Sequence, residues 1–177
     1  MASQPKRRFF PVGGTGGGST TEPFDIRLWK FFVRQLKAKD GPHIIGMLTT
    51  ASQHAGLSIP ELMRNHTQIQ EAVGCSFVAI NEDAFGAGGS EYDALCITCG
   101  NTAAALQTWK ATGCDKEIRR LYDAGVPITG YSAGFVALFE MASTDSPGIE
   151  KPRCCDFGLV EGLGIFLSLI HISEPTR

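Results

Sequence analysis

The sequence predicts an α/β protein built around a mostly parallel sheet with helices on both faces. Short, continuous apolar runs alternate with longer segments whose apolar residues recur at helical spacing, an order typical of repeated strand–helix units. The strand runs are apolar throughout, as expected for strands covered on both sides. The chain has 177 residues, 43% hydrophobic and 19% charged, which is enough for one domain with a proper core. In such a fold, ligands bind beyond the carboxyl ends of the strands.

The first half of the chain contains the first two predicted strands and two helices. "RFFPVGG" predicts a short strand stopped by glycines, and "FDIRLWKFFVRQLKA" predicts a helix. "HIIGMLTTAS" predicts a second, buried strand. "SIPELMRNHTQIQEAV" predicts a helix with Ser58 as its N-cap and Pro60 in its first turn.

The alternation continues in the second half. "SFVAI" and "DALCIT" predict the third and fourth strands. "TAAALQTWKA" and "DKEIRRLYDAG" predict helices, the latter with Gly125 as its C-cap. "VPITGYS" predicts the fifth strand.

The net charge and the N-terminal residues argue against nucleic-acid binding, membrane binding and a secretory signal. The formal net charge of −2 gives no electrostatic basis for binding nucleic acid or an anionic membrane. The apolar run after "MASQPKRR" is too short for a signal peptide or a membrane span. We therefore expect a cytoplasmic protein, and the sequence leaves its number of subunits open.

The cysteines are expected to be reduced thiols because no secretory signal accompanies them. Cys96 and Cys99 have the spacing of a redox or zinc pair, but "DALCITCGN" predicts a buried strand running into a loop. The adjacent Cys154 and Cys155 do not supply the second spaced pair of a zinc site. These patterns favour a structural role and predict no metal site.

"GYSAG" places Ser132 between an apolar strand and a segment compatible with a helix. In a G-x-S-x-G elbow the serine sits on a sharp strand-to-helix turn, and the next amide, here that of Ala133, can face a developing oxyanion. The sequence thus predicts Ser132 as a nucleophile. The alternative is a tight turn in which a small polar residue caps the helix.

"CITCGNTAAAL" is the second stretch with possible catalytic meaning. A strand ends there and a helix begins, so the N–H of Gly100 could supply a second oxyanion donor. The alternative is an ordinary capped helix start.

Taken together, "CGNTAAALQTW", "DKEIRRLYDAGVPITGYSAG", "LFEMASTDS" and "GLVEGLGI" resemble the dipeptidase E (aspartyl dipeptidase) family of serine peptidases, whose relatives include cyanophycinase. The resemblance runs from about Arg8 to Phe166. It implies a fold like the class I glutamine amidotransferases, with serine as the nucleophile. It also implies hydrolysis of short peptides, typically with an N-terminal aspartyl residue, without metal or cofactor. Ser132 matches the nucleophile, and Gly100 and Ala133 match the oxyanion amides.

The same resemblance identifies an acidic partner and one departure from the family. Asp145 in "STDS" matches an acidic residue linked to the charge relay, and Glu140 is a second candidate; Asp145 could equally be a turn or N-cap residue. Such a carboxylate would orient the imidazole of the catalytic histidine. The family usually has glycines before its G-N-T motif, where this chain has Thr98 and Cys99, and a side chain there could crowd the oxyanion loop or alter its backbone angles.

The catalytic histidine of the family follows a segment equivalent to "GLG" at Gly162–Gly164. Here Leu167–Arg177, "LSLIHISEPTR", resembles instead the translation of a sequencing-library adapter. We therefore expect an incomplete peptidase domain over 1–166 and a non-native tail over 167–177, in which His171 is not a base. A chain without its base is expected to be inactive, because a serine hydroxyl is a poor nucleophile at neutral pH. His54 is a weaker candidate base.

Two other functions fit parts of the pattern. One is a non-catalytic amidotransferase-like domain that binds a small molecule or a partner protein. The other is an ester hydrolase of the α/β-hydrolase type, which would share G-x-S-x-G but would lack a G-N-T element before it.

Overall fold

The computed structural model describes residues 7–12, 23–88, 91–147 and 157–166. Its centre is a five-stranded sheet in which every pairing is parallel, with strand order β1-β5-β4-β2-β3. The strands are β1 (Phe9–Val12), β2 (His43–Leu48), β3 (Cys75–Ala79), β4 (Ala94–Ile97) and β5 (Ile128–Tyr131). The predicted strands and the parallel α/β class are confirmed.

The helices comprise the predicted long ones and three short ones. The bounds are α1 (Pro23–Val33), α2 (Thr50–His54), α3 (Ile59–Val73), α4 (Glu82–Gly86), α5 (Thr102–Thr112), α6 (Cys114–Asp123) and α7 (Ala133–Val136). The second predicted strand was too long, since it ends at Leu48 and α2 starts two residues later. His54 therefore ends a helix.

Helix ends follow the local chemistry only in part. Ser58 has extended N-cap geometry and a proline follows in the first turn, but its side chain makes no capping hydrogen bond. The cap residue of α6 is Ala124, and Gly125 follows it with φ 82°. The glycine is thus in the left-handed region just past the helix end, one position later than predicted.

Two apolar clusters cover the two faces of the sheet. Alternate residues of β4 divide between them: Leu95 and Ile97 join the cluster formed with α5 and α6, while Ala94 and Cys96 join the cluster formed with α1 and α3. Both faces are covered, as the continuous apolar strands predicted.

A two-stranded antiparallel ribbon follows α7. It consists of β6 (Met141–Thr144) and β7 (Gly158–Glu161). By its residue pattern "FVALFEM" is compatible with a helix, but α7 ends at Val136. The reason is long-range: the carbonyls of Ala137, Leu138 and Phe139 accept hydrogen bonds from the amides of residues 163–166, so they are not used by a further helical turn.

Cys96, the first cysteine of the Cys96/Cys99 spacing, lies deep in the sheet. Cys96 is fully buried in β4, and burial strongly raises the pKa of its thiol. Cys75, Cys96, Cys99 and Cys114 are free thiols, whereas Cys154 and Cys155 lie outside the described residues. Within the described ranges, the structure contains no helix with the length and apolar character needed to span a membrane.

Candidate active site

Ser132 occupies a strained turn between β5 and α7. Its backbone angles are φ 45° and ψ −109°, and no other non-glycine residue in the described part of the chain has a positive φ. Such a conformation costs on the order of 1–3 kcal/mol and persists only where the surroundings enforce it. The Ser132 amide donates to Val12 O at 3.2 Å, and its carbonyl accepts from Phe135 N and Val136 N. The Ser132 residue is exposed.

The glycines on either side of Ser132 are required by close backbone contacts. A Cβ on Gly130 would come within 2.5 Å of Gly134 O, and a Cβ on Gly134 would overlap Ile97 O at the end of β4. Gly130 also pairs with Ile97 across the sheet. The elbow is therefore pressed against the neighbouring strand, and its tight turn depends on residues without side chains.

The Gly100 turn lies at the carboxyl end of β4, next to the end of β5. Gly100 has φ 135°, and a Cβ there would overlap Ala51 O. Asn101 caps α5, because its side chain accepts from Ala104 N at 3.0 Å. Asn101 is therefore the N-cap of α5, in agreement with the interpretation as a capped helix start. The oxyanion prediction concerns a different group, the amide of Gly100.

Thr98 and Cys99 are accommodated by contacts with α2. Thr98 is buried, and its hydroxyl donates to Leu48 O at 3.2 Å. The Ser52 hydroxyl lies 2.8 Å from Thr98 Oγ1 and 2.6 Å from Cys99 O. The side chain of Thr98 is held by Leu48 of β2 and Ser52 of α2, and its effect on the oxyanion loop stays a prediction. Sequence reasoning missed Ser52; the only signal was a run of hydroxyl residues in "TTAS" after a buried strand.

Asp145 follows β6 and is exposed between two buried hydroxyl residues. Ser146 Oγ accepts from Ala103 N at 3.1 Å and lies 2.7 Å from Thr144 Oγ1. These contacts tie the segment around Asp145 to the first turn of α5, which begins two residues after Gly100. Ser146, rather than Asp145, accepts from a first-turn amide of α5, whose N-cap is Asn101.

Glu140, the other acidic candidate, is exposed where α7 meets the C-terminal described segment. Its amide donates to Phe166 O at 3.1 Å, and its carbonyl accepts from Gly162 N at 2.9 Å. The "GLG" segment itself contacts the elbow helix, since Leu163 N donates to Ala137 O at 2.8 Å. The polypeptide leading away from "GLG" therefore starts beside the elbow.

Each histidine in the described residues has a partner elsewhere. His43 Nδ1 lies 3.9 Å from Asp93 Oδ2, at the amino end of the sheet. His54 Nε2 lies 2.8 Å from Thr108 Oγ1, and His66 Nδ1 lies 2.7 Å from Leu62 O. His171 falls outside the described residues.

The model of peptidase family S51 matches residues 51–170. This chain belongs to peptidase family S51. The match covers the Gly100 turn, the Ser132 elbow, Asp145 and "GLG", and it ends one residue before His171. The predicted resemblance to the dipeptidase E type of peptidase is confirmed.

Individual relatives agree with the S51 assignment. The uncharacterised peptidase YgaJ of Bacillus subtilis (strain 168) is 32% identical over 142 residues, covering 75% of this chain and 57% of the relative. The chain thus spans little more than half the length of that curated relative.

Solved structures share the fold of the S51 chain. A peptidase E protein from Listeria monocytogenes EGD-e superposes with a TM-score of 0.61 at 16% identity, covering 90% of this chain and 75% of that one. A peptidase from an acI-B1 actinobacterium gives 0.60 at 15% identity, covering 89% and 64%. At these identities the likeness concerns the fold alone.

Proposed function

We propose that this S51 chain is built as a serine peptidase that hydrolyses short peptides, typically those with an N-terminal aspartyl residue, with Ser132 as the nucleophile. The observation that carries the proposal is the strained, exposed Ser132 turn held between two glycines. Strain of this kind at an exposed polar residue is characteristic of functional sites, and a G-x-S-x-G elbow presents the serine Oγ to substrate.

The proposed reaction is an acyl transfer to Ser132. Its Oγ attacks the peptide carbonyl carbon while a base takes the hydroxyl proton, and the carbonyl oxygen gains the negative charge. The amides of Gly100 and Ala133 stabilise that oxyanion. The base then gives its proton to the leaving amine, and water releases the acyl group in the second step. The chemistry requires neither a metal nor a cofactor.

Asp145 is the proposed carboxylate that orients the base. Its support is positional: Ser146, which the Thr144 hydroxyl contacts, accepts from Ala103 N in the first turn of α5, near the Gly100 turn. A carboxylate there would hold the imidazole tautomer and stabilise the imidazolium formed during attack.

We also propose that the chain of residues 1–177 has little peptidase activity. The described histidines are engaged elsewhere, and residues 167–177 are proposed to be a non-native tail. Without a base, the oxyanion donors and substrate binding alone leave an acceleration of roughly 10³–10⁴ over water.

A fluorophosphonate probe tests the proposed nucleophile. We expect slow labelling, seen as a mass increase of the intact protein, that peptide mapping places on Ser132 and that Ser132→Ala abolishes. Ser143→Ala, which removes another exposed serine from β6, should leave labelling unchanged. Labelling that persists in Ser132→Ala would contradict the nucleophile, and rapid labelling would contradict the proposed loss of activity.

A further inference from the structure

Helix α2 holds the Gly100 turn on both sides. Before Gly100, the carbonyl of Cys99 accepts from Ser52 Oγ at 2.6 Å. After it, the amide of Asn101 donates to Ala51 O at 2.9 Å. Both peptide groups that flank Gly100 are therefore anchored to adjacent residues of α2.

The first of these bonds fixes the direction of the Gly100 amide. A trans peptide group is planar, and its C=O and N–H point in opposite directions. Because the Cys99 carbonyl points to Ser52, the N–H of the same peptide group, which belongs to Gly100, points away from α2. Cys99 O can only accept a hydrogen bond, so the single proton of the Ser52 hydroxyl supplies it. The contact between Ser52 Oγ and Thr98 Oγ1 is then left to the Thr98 proton, which Leu48 O also accepts.

The strand order relates the direction of the Gly100 N–H to the position of Ser132. β4 lies between β2 and β5, α2 follows β2, and the Ser132 elbow follows β5. The direction away from α2 therefore leads to the side of the sheet edge on which Ser132 lies.

We infer that Ser52 is a positioning residue for the oxyanion hole: its buried hydroxyl orients the Gly100 N–H toward the Ser132 side of the site. This inference rests on the proposed function, in which Gly100 is an oxyanion donor. Ser52 is fully buried, and the bond it makes spans 47 positions of the sequence. In place of the glycines typical of the family, this chain holds its turn through Thr98, Cys99 and the Ser52 hydroxyl.

A direct measurement is the orientation of the Gly100 N–H bond, obtained from ¹H–¹⁵N residual dipolar couplings. Ser52→Ala removes the hydroxyl that donates to Cys99 O, so we expect the Gly100 coupling to change while couplings in β2 and β4 stay the same. Thr50→Val is the matched control. Thr50 is equally buried on α2, but its hydroxyl donates to Glu82 at 2.7 Å and accepts from Trp109 at 2.9 Å.

The functional measurement is the rate at which a fluorophosphonate modifies Ser132, with imidazole added as a base. Losing an oxyanion donor outright lowers rates about 10²–10³-fold. Misdirecting an oxyanion donor should lower the labelling rate about ten- to a hundredfold. Thr50→Val should lose as much thermal stability as Ser52→Ala yet label within about twofold of the parent chain, and Ser52→Cys should restore part of the rate because a thiol is a weak donor.

The outcomes separate this inference from the proposed function. If Ser52→Ala leaves the Gly100 coupling unchanged, or slows labelling no more than Thr50→Val, the positioning role is wrong. If the coupling changes but the parent chain is not labelled at Ser132 at all, the proposed nucleophile fails and the oxyanion role of Ser52 fails with it. A changed coupling together with slowed labelling supports both.

Discussion

The two halves of the candidate site, the Ser132 elbow and the Asp145 turn, are held by different means. Ser132 is fixed by its immediate neighbours, because Gly130 and Gly134 press the turn against β4. Asp145 depends on a distant contact, since Ser146 reaches Ala103, 43 positions earlier in the chain. The Ser132 turn thus depends on two glycines within five residues of sequence and on backbone contacts with β1 and β4, whereas the position of Asp145 depends on a side-chain hydrogen bond between distant segments.

The largest effect is expected from Gly134→Ala. The new Cβ would overlap the Ile97 carbonyl, a backbone atom that cannot move without disturbing β4. We expect a loss of roughly 3 kcal/mol or more in the free energy of unfolding, measured by urea denaturation. Gly158→Ala is the control, because among the described residues its Cβ would meet the flexible ring of Pro147 at 3.4 Å rather than a backbone atom. Equal stability of the two variants would show that the elbow is not locally enforced.

Phe166→Ala tests whether residues 157–166 help to stabilise the region around the Ser132 turn. Phe166 stacks on Phe9 at 4.5 Å between ring centroids and packs against Tyr122 and Phe139. A partly buried aromatic in such contacts should contribute about 2 kcal/mol. The matched control is Phe157→Ala, whose side chain is 75% exposed and should contribute little. A neutral Phe166→Ala would mean that the packed segment adds nothing to the fold.

Ser146→Ala tests the distant contact that places Asp145. The substitution leaves Ala103 N without its acceptor and removes one of the two hydrogen bonds of the buried Thr144 hydroxyl, which keeps the bond from the amide of residue 146. We expect a loss of about 1–2 kcal/mol in the free energy of unfolding. Ser143→Ala, on the exposed face of β6, should change it by less than about 0.5 kcal/mol. The comparison between the two regions fails if the two serine variants are equally stable.

The smallest effect is expected at the opposite, amino end of the sheet, at Asp93. Burial alone would raise the pKa of its carboxyl, but hydrogen bonds from Lys39 and the Ile44 amide, with the charges of Lys39 and His43, together lower it. A lowered folded-state pKa adds stability above the unfolded-state pKa of about 4, and that stability is lost as the pH falls through the folded-state value.

Asp93→Asn should therefore be less stable than the parent chain at pH 7, with the difference shrinking below about pH 4. Urea denaturation between pH 3 and 7 measures it. A difference that grows on acidification would have the wrong sign. At each pH, fluorophosphonate should label Ser132 at the same rate in Asp93→Asn as in the parent chain, because Asp93 lies at the other end of the strands.

The sequence predicted the parts of this molecule that depend on local patterns. The apolar strands, the four long helices and the Ser132 turn follow from residue spacing and glycine placement. Helices α2 and α4 were missed because five residues show no helical period. The β6–β7 ribbon was missed because α7 is cut short by bonds from Leu163 and its successors. Ser52 escaped notice because its partners lie 46 and 47 positions away.

The most direct test of the account is chemical rescue of Ser132 by imidazole. If the site is a serine peptidase elbow without its base, added imidazole should accelerate fluorophosphonate labelling of Ser132 about tenfold or more, while His171→Ala changes neither the slow basal rate nor the rescue. Rapid labelling without imidazole that His171→Ala abolishes would contradict the account, because His171 would then be the base of a complete site.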